Sequence, residues 1–149
     1  MLFIFLYNMN TSTDTRHLPG MPFNICLFGS KGVMLMNNIH KDRRWVCNQD
    51  VELQPCGPGV CRKILAYTDE LMCVENRFEK GGVGTLHSHP HTQITYVVSG
   101  VFEFEIDGVK KIVTAGDTML KKDAVVHGCV CLEAGVLLDI FTPMRQDFL

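Results

Sequence analysis

From Gly59 onward, the chain consists of short apolar runs that recur about every eight to twelve residues, with turn residues between them. Val, Ile, Phe, Tyr and Thr dominate these runs, and such side chains fit the pleated, half-buried surface of a sheet. The same stretch shows no convincing amphipathic helical period. Regularly spaced short strands with turn signals are typical of β-sandwiches and β-barrels. The sequence therefore predicts an all-β domain in this region.

One hairpin can be predicted in detail. Within residues 101–106, apolar side chains alternate with glutamates, as a strand with one solvated face requires. Asp107-Gly108 then supplies the two residues that a type I′ turn needs at positive φ, and residues 109–113 return as the partner strand. We predict the other strands at residues 60–67, 71–78, 93–98, 117–120, 124–131 and 136–142, with a break at Ser99-Gly100.

The chain length of 149 residues fits a single domain with one core. Residues 1–44 differ from the rest, because they show no sustained period and contain a polar run at 11–16 followed by Pro19-Gly20. We expect residues 1–44 to form an N-terminal arm or extension and residues 45–149 to form the β-barrel domain.

Charge and composition exclude several classes of function. Lys and Arg number 14 against 16 Asp and Glu, for a formal net charge of −2, and there is no basic stripe of the kind that binds nucleic acid. No apolar run approaches the ~20 residues of a membrane span. The seven cysteines are odd in number and include no C-x-x-C pair. We therefore expect a protein of the reducing cytoplasm with no nucleic-acid or membrane partner.

Three histidines cluster at His87, His89 and His91. His87 and His89 share one face of an extended segment, at a spacing that lets both bind the same metal ion. Pro90 is expected to end that strand, so that the chain can turn back and present Gln93 from the next strand to the same point.

A fourth ligand is expected from a distant strand, and His127 is the best candidate because it lies in an apolar run. Three imidazoles and one amide oxygen form a neutral site that suits one divalent first-row metal ion and leaves positions open for water or substrate. The alternative is that these are surface or hydrogen-bonded core residues that bind no metal. His91 is expected at the mouth of the site. The predicted metal ligands are His87, His89, Gln93 and His127.

The spacing of these residues resembles the first sequence motif of the cupin family, G-x5-H-x-H-x3,4-E-x6-G. Gln stands in place of the usual Glu of that motif. The matching positions are Gly81, His87, His89, Gln93 and Gly100.

The second cupin motif, G-x5-P-x-G-x2-H-x3-N, is matched in part. Gly116 and His127 occupy its first Gly and its His. Lys122, Ala124 and Cys131 replace its Pro, its second Gly and its Asn. The resemblance implies a cupin barrel, a double-stranded β-helix or jelly roll, with a looser second hairpin.

A narrower similarity covers residues 59–149. The segments H-S-H-P-H at 87–91, Y-V-V-S-G at 96–100 and D-I-F-T-P-M-R at 139–145 resemble the small pectin-degradation cupins of the KdgF type. That resemblance implies ketonisation of 4,5-unsaturated uronates to linear keto sugars, with a small-molecule sugar acid as partner. It also implies one divalent transition metal ion, Ni, Zn, Fe or Mn, and a homodimer.

The matching family positions make Asp139, Phe141 and Arg145 the catalytic or substrate-contacting residues. Asp139 and Phe141 lie two apart on an apolar strand and can face one cavity, and the fork of Arg145 can pair with a sugar carboxylate. Structural alternatives stay open, since Asp139 can form an ion pair with Arg145 and Phe141 can belong to the core. Tyr96 can direct its hydroxyl into the pocket or pack on the sheet.

Two other functions compete with this interpretation. A neutral site of three histidines and one glutamine is compatible with iron, so an iron-dependent cupin dioxygenase is the first alternative. A non-enzymatic sugar-binding or sensor module is the second, because a fold alone never determines function.

Overall fold

The computed structural model describes residues 40–149. Most of these residues lie in antiparallel β-strands. The strands are β1 (Gln54–Gly57), β2 (Val60–Tyr67), β3 (Met72–Phe78), β4 (Val83–His87), β5 (Thr92–Ile106), β6 (Val109–Thr114), β7 (Thr118–Lys121) and β8 (His127–Thr142). Short 3₁₀ helices lie at Asn48–Asp50 and Gln146–Phe148. The all-β prediction is confirmed. The predicted arm at 1–44 falls almost entirely outside the described residues.

β5 and β8 form the centre of the fold and pair with each other along nearly their whole lengths. The first half of β8 also pairs with β4, and its second half pairs with β3. The first half of β5 pairs with β7, and its second half pairs with β6. β1 and β2 extend the sheet beyond β3. Because the two halves of each long strand pair with different neighbours, each long strand contributes to two layers, and these layers enclose the interior of a barrel.

The two long strands bend where Gly100 approaches Gly135. A Cβ on Gly135 would lie 2.2 Å from the carbonyl oxygen of Ser99, and Gly100 has a φ of +88°, so both positions need glycine. The register between β5 and β8 shifts at this point, which marks a β-bulge. The predicted strand break at Ser99-Gly100 is therefore wrong, as is the division of β8 into 124–131 and 136–142. The pairing continues because two glycines let the backbones remain close.

Several other strand predictions can be compared with the structure. The strand at 60–67 has the predicted bounds, and the hairpin turn has φ values of 51° at Asp107 and 73° at Gly108. β1 was not predicted. The predicted strand that carries both His87 and His89 ends at His87, and His89 lies in the connection to β5.

Buried side chains from alternate positions of the strands form two clusters. The larger comprises Val60, Phe78, Val97, Phe102, Phe104, Val113, Met119, Cys129, Cys131 and Leu137. The smaller comprises Ile64, Tyr67, Met72, Val74 and Phe141. Phe78 and Phe102 pack edge to face with ring centroids 5.4 Å apart, a favourable aromatic geometry. None of the helices within residues 40–149 has the length and apolar character needed to cross a membrane.

Cys129 and Cys131 are buried as the alternation of the apolar run predicted. Both are free thiols, and burial raises the pKa of Cys129 to about 12. Because the thiol of Cys129 stays protonated at neutral pH, it provides an apolar wall rather than a thiolate ligand.

A cavity of about 310 Å³ lies inside the barrel, within the size range of small-molecule sites. Its walls are residues of β1, β2, β3, β4, β5, β7 and β8, together with Arg145 and Phe148. The fold therefore brings side chains that are distant in the sequence to one cavity.

Candidate metal centre and active site

His87 and His127 face each other across paired strands. They are direct Cα partners between β4 and β8, and their ring centroids lie 4.5 Å apart. The Nδ1 of His87 lies 2.8 Å from the carbonyl oxygen of Thr85, and the Nδ1 of His127 lies 2.8 Å from that of Val125. Because a carbonyl oxygen only accepts, each Nδ1 carries the proton and each Nε2 presents a lone pair. Backbone carbonyls hold metal-binding histidines in this way in many proteins.

His89 completes the cluster from the connection between β4 and β5. Its ring centroid lies 5.5 Å from that of His87 and 4.9 Å from that of His127. One nitrogen from each of the three rings falls within 4.8 Å of the others. Gln93, which is buried at the start of β5, lies beside them with its Oε1 3.1 Å from the Nε2 of His89. The structure thus brings together the four residues predicted as metal ligands.

Thr95 orients the amide of Gln93. Its Oγ1 accepts hydrogen bonds from the Nζ of Lys121 and, at 3.2 Å, from the Nε2 of Gln93, and it donates to the Oδ1 of Asp139. An ammonium group can only donate and a carboxylate accepts, so the single hydroxyl proton of Thr95 is directed to Asp139. The Nε2 of Gln93 must then face Thr95, which leaves its Oε1 facing the histidines.

Lys121 is a site residue that the sequence interpretation missed. Its side chain is 1% exposed, and burial lowers its pKa while the carboxylate of Asp139 acts in the opposite direction. The segment 121–123 had the polar composition of a turn. The alternation of β7 was the available signal, because Met119 faces the core and the residue two positions later must face the same way.

Burial favours the neutral form of His127 and His89 by lowering the pKa of each ring. The pKa of His127 falls to about 4, mainly through burial and with smaller contributions from His87, Lys121 and His89, while the hydrogen bond to the carbonyl of Val125 acts in the opposite direction. Burial is also the main cause that lowers the pKa of His89, assisted by the charge of Arg145. Imidazoles in this state are in the form that binds a metal ion at neutral pH.

Asp139 and Phe141 point from β8 into the same cavity. The Oδ2 of Asp139 accepts a hydrogen bond of 2.8 Å from the Nδ2 of Asn76 on the adjacent strand, while its Oδ1 accepts from Thr95. Phe141 is 3% exposed and belongs to the smaller core cluster, yet its ring lies edge to face with His89 at 5.7 Å. It is therefore both a core residue and a wall of the site.

Arg145 also lines the cavity, but it forms no ion pair with Asp139. Its Nε and Nη2 donate to the two carboxylate oxygens of Asp147 at 2.9 and 2.7 Å, a bidentate geometry. The guanidinium lowers the pKa of Asp147 to about 2. The same group lies 4.3 Å from the ring centroid of Phe148, so the C-terminal segment is docked against the barrel.

Two further candidates occupy different places. The ring of His91 lies 5.4 Å from that of His89, and its buried Nδ1 has no hydrogen-bond partner within the described residues. Tyr96 is 43% exposed on the outer face of β5 and does not line the cavity. The suggestion that Tyr96 directs its hydroxyl into the pocket is wrong, because the alternation of β5 turns Gln93, Thr95 and Val97 inward instead.

Known proteins resemble this chain in sequence. Residues 74–141 match the cupin domain family. The pectin degradation protein KdgF of Dickeya dadantii (strain 3937) is 43% identical over 109 residues, which cover 72% of this chain and 99% of that protein. The chain is a cupin of the KdgF type.

Solved structures of other cupins agree with this assignment. An RmlC-like cupin from Shewanella frigidimarina is 39% identical and superposes with a TM-score of 0.72, covering 74% of this chain and all of its own. KdgF from a Halomonas species is 41% identical with a TM-score of 0.68, covering 70% of this chain and 97% of its own. The family and the fold that the motifs predicted are confirmed.

The donor set of this cupin suits a divalent metal ion. The Nε2 of His127 is buried and has no hydrogen-bond partner among residues 40–149, although buried polar atoms are nearly always paired. One nitrogen of His127 lies within 4.8 Å of a nitrogen of His87 and of a nitrogen of His89. Three imidazole nitrogens and the amide oxygen of Gln93 are ligands that first-row divalent metals accept.

Proposed function

We propose that this cupin is a metal-dependent enzyme that ketonises 4,5-unsaturated uronates from pectin or alginate breakdown. The observation that carries the proposal is the cluster of three histidines beside Gln93, at a cavity that His87, His127, Gln93 and the carboxylate of Asp139 line together. The 43% identity to a protein named for pectin degradation supports the substrate class. The product would be a linear keto sugar.

The reaction is an isomerisation that needs no external oxidant or reductant. The substrate is a cyclic hemiacetal whose ring oxygen is part of an enol ether, next to a carboxylate on the ring. Removal of the anomeric hydroxyl proton forms the aldehyde carbonyl and breaks the bond between the anomeric carbon and the ring oxygen. The ring oxygen leaves as an enolate, which becomes a ketone when a proton is added to carbon 4.

Asp139 is the proposed proton-transfer residue. Its carboxylate faces the cavity, and Asn76 and Thr95 hold one oxygen each, so its orientation is determined before substrate binds. A carboxylate positioned in this way takes the proton from the anomeric hydroxyl and returns a proton to carbon 4. Phe141 is proposed to form a wall against which the sugar ring lies, because its ring flanks His89.

The metal ion is proposed to be held by His87, His89, Gln93 and His127. When bound, it acts as a Lewis acid that stabilises negative charge on a substrate oxygen. All four donors are neutral, so the charge of the ion is not cancelled by its ligands. Ni, Zn, Fe and Mn all accept such a donor set, and elemental analysis of the purified protein identifies the one that is bound.

Arg145 is proposed to stabilise the anionic substrate from the rim of the cavity. Its guanidinium lies 5.4 Å from the ring centroid of Phe141, which is the proposed sugar wall. The Asp147 carboxylate engages two of its nitrogens, so Arg145 contributes charge and holds the C-terminal segment near the cavity.

The test is an ultraviolet assay with unsaturated galacturonate released by a pectate lyase. Ketonisation destroys the conjugated acid, so wild-type protein should abolish its absorbance, and removal of the metal by a chelator should stop the reaction. Oxygen uptake dependent on ferrous iron, with no anaerobic change in absorbance, would instead support a dioxygenase. Uronate binding at full metal occupancy without loss of absorbance would support a binding module.

A homodimer remains part of the proposal. The outer face of β5 exposes Ile94, Tyr96 and Val98 at 43–48%, and adjacent Leu120 on β7 is 57% exposed. A contiguous apolar surface of this kind is typical of protein interfaces. Light scattering of the purified full-length chain measures the oligomeric state directly.

A further inference from the structure

Arg62 lies on the inner face of β2. It lies two residues from buried Val60 and from buried Ile64, on the same face of the strand. That face lines the cavity. Its guanidinium carbon lies 3.9 Å from the ring centroid of Phe148. Stacking on an aromatic face fixes the plane of a guanidinium while its N–H groups stay free to donate in that plane.

The Nε of Arg62 is a buried donor that has no hydrogen-bond partner within residues 40–149, an arrangement that native proteins rarely leave uncompensated. The other cavity cations are occupied, since Lys121 donates to Thr95 and Arg145 donates twice to Asp147.

The charge of the cavity favours an anion. Among the described residues that line it, the charged ones are the cations Arg62, Lys121 and Arg145 and the anion Asp139. A guanidinium presents a planar fork of donors that matches the two oxygens of a carboxylate. Arg62 is the cation of this group whose Nε has no acceptor within the described residues, so its guanidinium can bind a carboxylate.

Arg62 lies at a defined position relative to the histidines. The ring of Phe148, on which it stacks, packs edge to face with Phe141 at 5.8 Å, and Phe141 packs against His89 at 5.7 Å. Two aromatic rings therefore separate the guanidinium from the histidine cluster along one wall of the cavity. The wall therefore presents Arg62 at one end and the histidines at the other.

We propose that Arg62 binds the carboxylate of the uronate and thereby orients the sugar ring against Phe141 and Phe148. The proposal rests on the proposed function for the identity of the substrate. It assigns to Arg62 the carboxylate contact that the family resemblance suggests for Arg145, because Asp147 already occupies the fork of Arg145.

The test is calorimetric titration of the metal-loaded protein with D-galacturonate and with its methyl ester, which masks the carboxylate. Wild-type protein should prefer the acid. Arg62→Gln should bind the acid about tenfold to a hundredfold more weakly and lose the preference, since hydrogen bonds to charged groups have that effect. Arg62→Lys, which keeps the charge without the fork, should be intermediate.

Arg77→Gln is the matched control. Arg77 lies on the adjacent strand, is 43% exposed and pairs with Glu75 at the surface, so this change alters the net charge equally without touching the cavity. Metal content should match the wild type in both glutamine variants, because neither arginine is among the clustered donors. Thermal stability is measured for both, since Arg62→Gln removes the stacking on Phe148 and Arg77→Gln removes the ion pair with Glu75.

Each outcome separates this proposal from the proposed function. If the wild type prefers the acid through Arg62 but leaves the absorbance of the unsaturated uronate unchanged, the carboxylate site is supported and the proposed ketonisation is refuted. Turnover with an unchanged KM in Arg62→Gln, or loss of the acid preference in Arg145→Gln alone, would overturn the role of Arg62.

Discussion

His87 and His127 are direct partners across β4 and β8, and each is oriented by the carbonyl oxygen two residues before it. The same hydrogen bond, from Nδ1 to the carbonyl oxygen of residue i−2, therefore occurs on both of the paired strands. The bond leaves the Nε2 of each ring available to bind a metal ion. A site prepared in this way loses little conformational freedom when a metal binds.

Replacing His87 should remove both the metal and the activity. His87→Ala deletes one of three imidazole donors, and we expect its metal affinity to fall by more than the roughly tenfold to hundredfold typical of changes in supporting residues. Elemental analysis and a competition titration with a chelator measure the loss. His91→Ala is the control and should keep its metal, because His91 lies beside the cluster rather than in it. Full metal occupancy in His87→Ala would exclude His87 as a ligand.

Asp139→Asn should separate metal binding from catalysis. The amide has nearly the same size as the carboxylate but cannot act as a base, and loss of a proton-transfer residue costs about a hundredfold to ten-thousandfold in rate. The metal content should stay at the wild-type value because Asp139 is not among the clustered donors. The ultraviolet assay gives the rate, and wild-type turnover in this variant would refute the assignment of the base.

Thr95→Val should weaken metal binding although Thr95 is not a proposed ligand. The valine keeps the shape but removes the hydroxyl that accepts from Gln93 and Lys121 and donates to Asp139. We expect metal affinity to fall about tenfold to a hundredfold, and the unfolding free energy to fall by about 1–3 kcal/mol because polar groups are left unpaired. Thr118→Val, at an exposed position of β7, is the matched control. Equal metal affinity in both variants would show that Thr95 does not orient Gln93.

The spacing of His87, His89 and Gln93 was sufficient to predict their meeting, because a strand and a short connection leave few alternatives for residues so close in sequence. His127 could be added because it lies in an apolar strand. Lys121 was missed because a lysine followed by Lys122 and Asp123 has the composition of a turn, and its burial depends on partners from β5 and β8.

Contacts that depend on tertiary packing could not be predicted from the sequence either. The bidentate pair of Arg145 and Asp147 depends on how the C-terminal segment turns back onto the barrel, which no local pattern specifies. The continuous pairing of β5 and β8 depends on the close approach of Gly100 and Gly135, and from the sequence alone each glycine indicates a break. Fold class and the histidine cluster follow from local periodicity, whereas the surrounding network follows from packing.

The stability of the metal-free protein should fall on acidification between pH 6.5 and about 4. An unfolded histidine takes up a proton near 6.5, whereas His127 in the folded state does so only near 4. Within this window the unfolded state binds more protons, so the free energy of unfolding decreases as pH falls, by up to about 3 kcal/mol for His127. Above pH 6.5 both states are neutral and this effect is absent.

Urea unfolding of the chelator-treated protein at several pH values measures this dependence. His127→Gln is the comparison variant and should lose less stability between pH 7 and pH 4. The lowered pKa of Asp147 reduces stability mainly below about pH 4, and both proteins share this effect, so it does not alter the comparison. Identical pH profiles for both proteins would refute the role of His127 in acid sensitivity.

Gly135→Ala should destabilise the whole barrel. A methyl group at this position would lie 2.2 Å from the carbonyl oxygen of Ser99 and 2.6 Å from the Cα of Gly100, and both obstacles are backbone atoms of the paired strand. The two long strands must separate at their bend, and we expect a loss of at least about 2 kcal/mol in the free energy of unfolding. Gly57→Ala is the control, because its nearest neighbour is the Cβ of Val60 at 4.0 Å, and it should change stability by less than about 1 kcal/mol. Chemical denaturation compares the two variants. Equal stability would mean that the close approach of β5 and β8 at Gly100 and Gly135 tolerates a side chain.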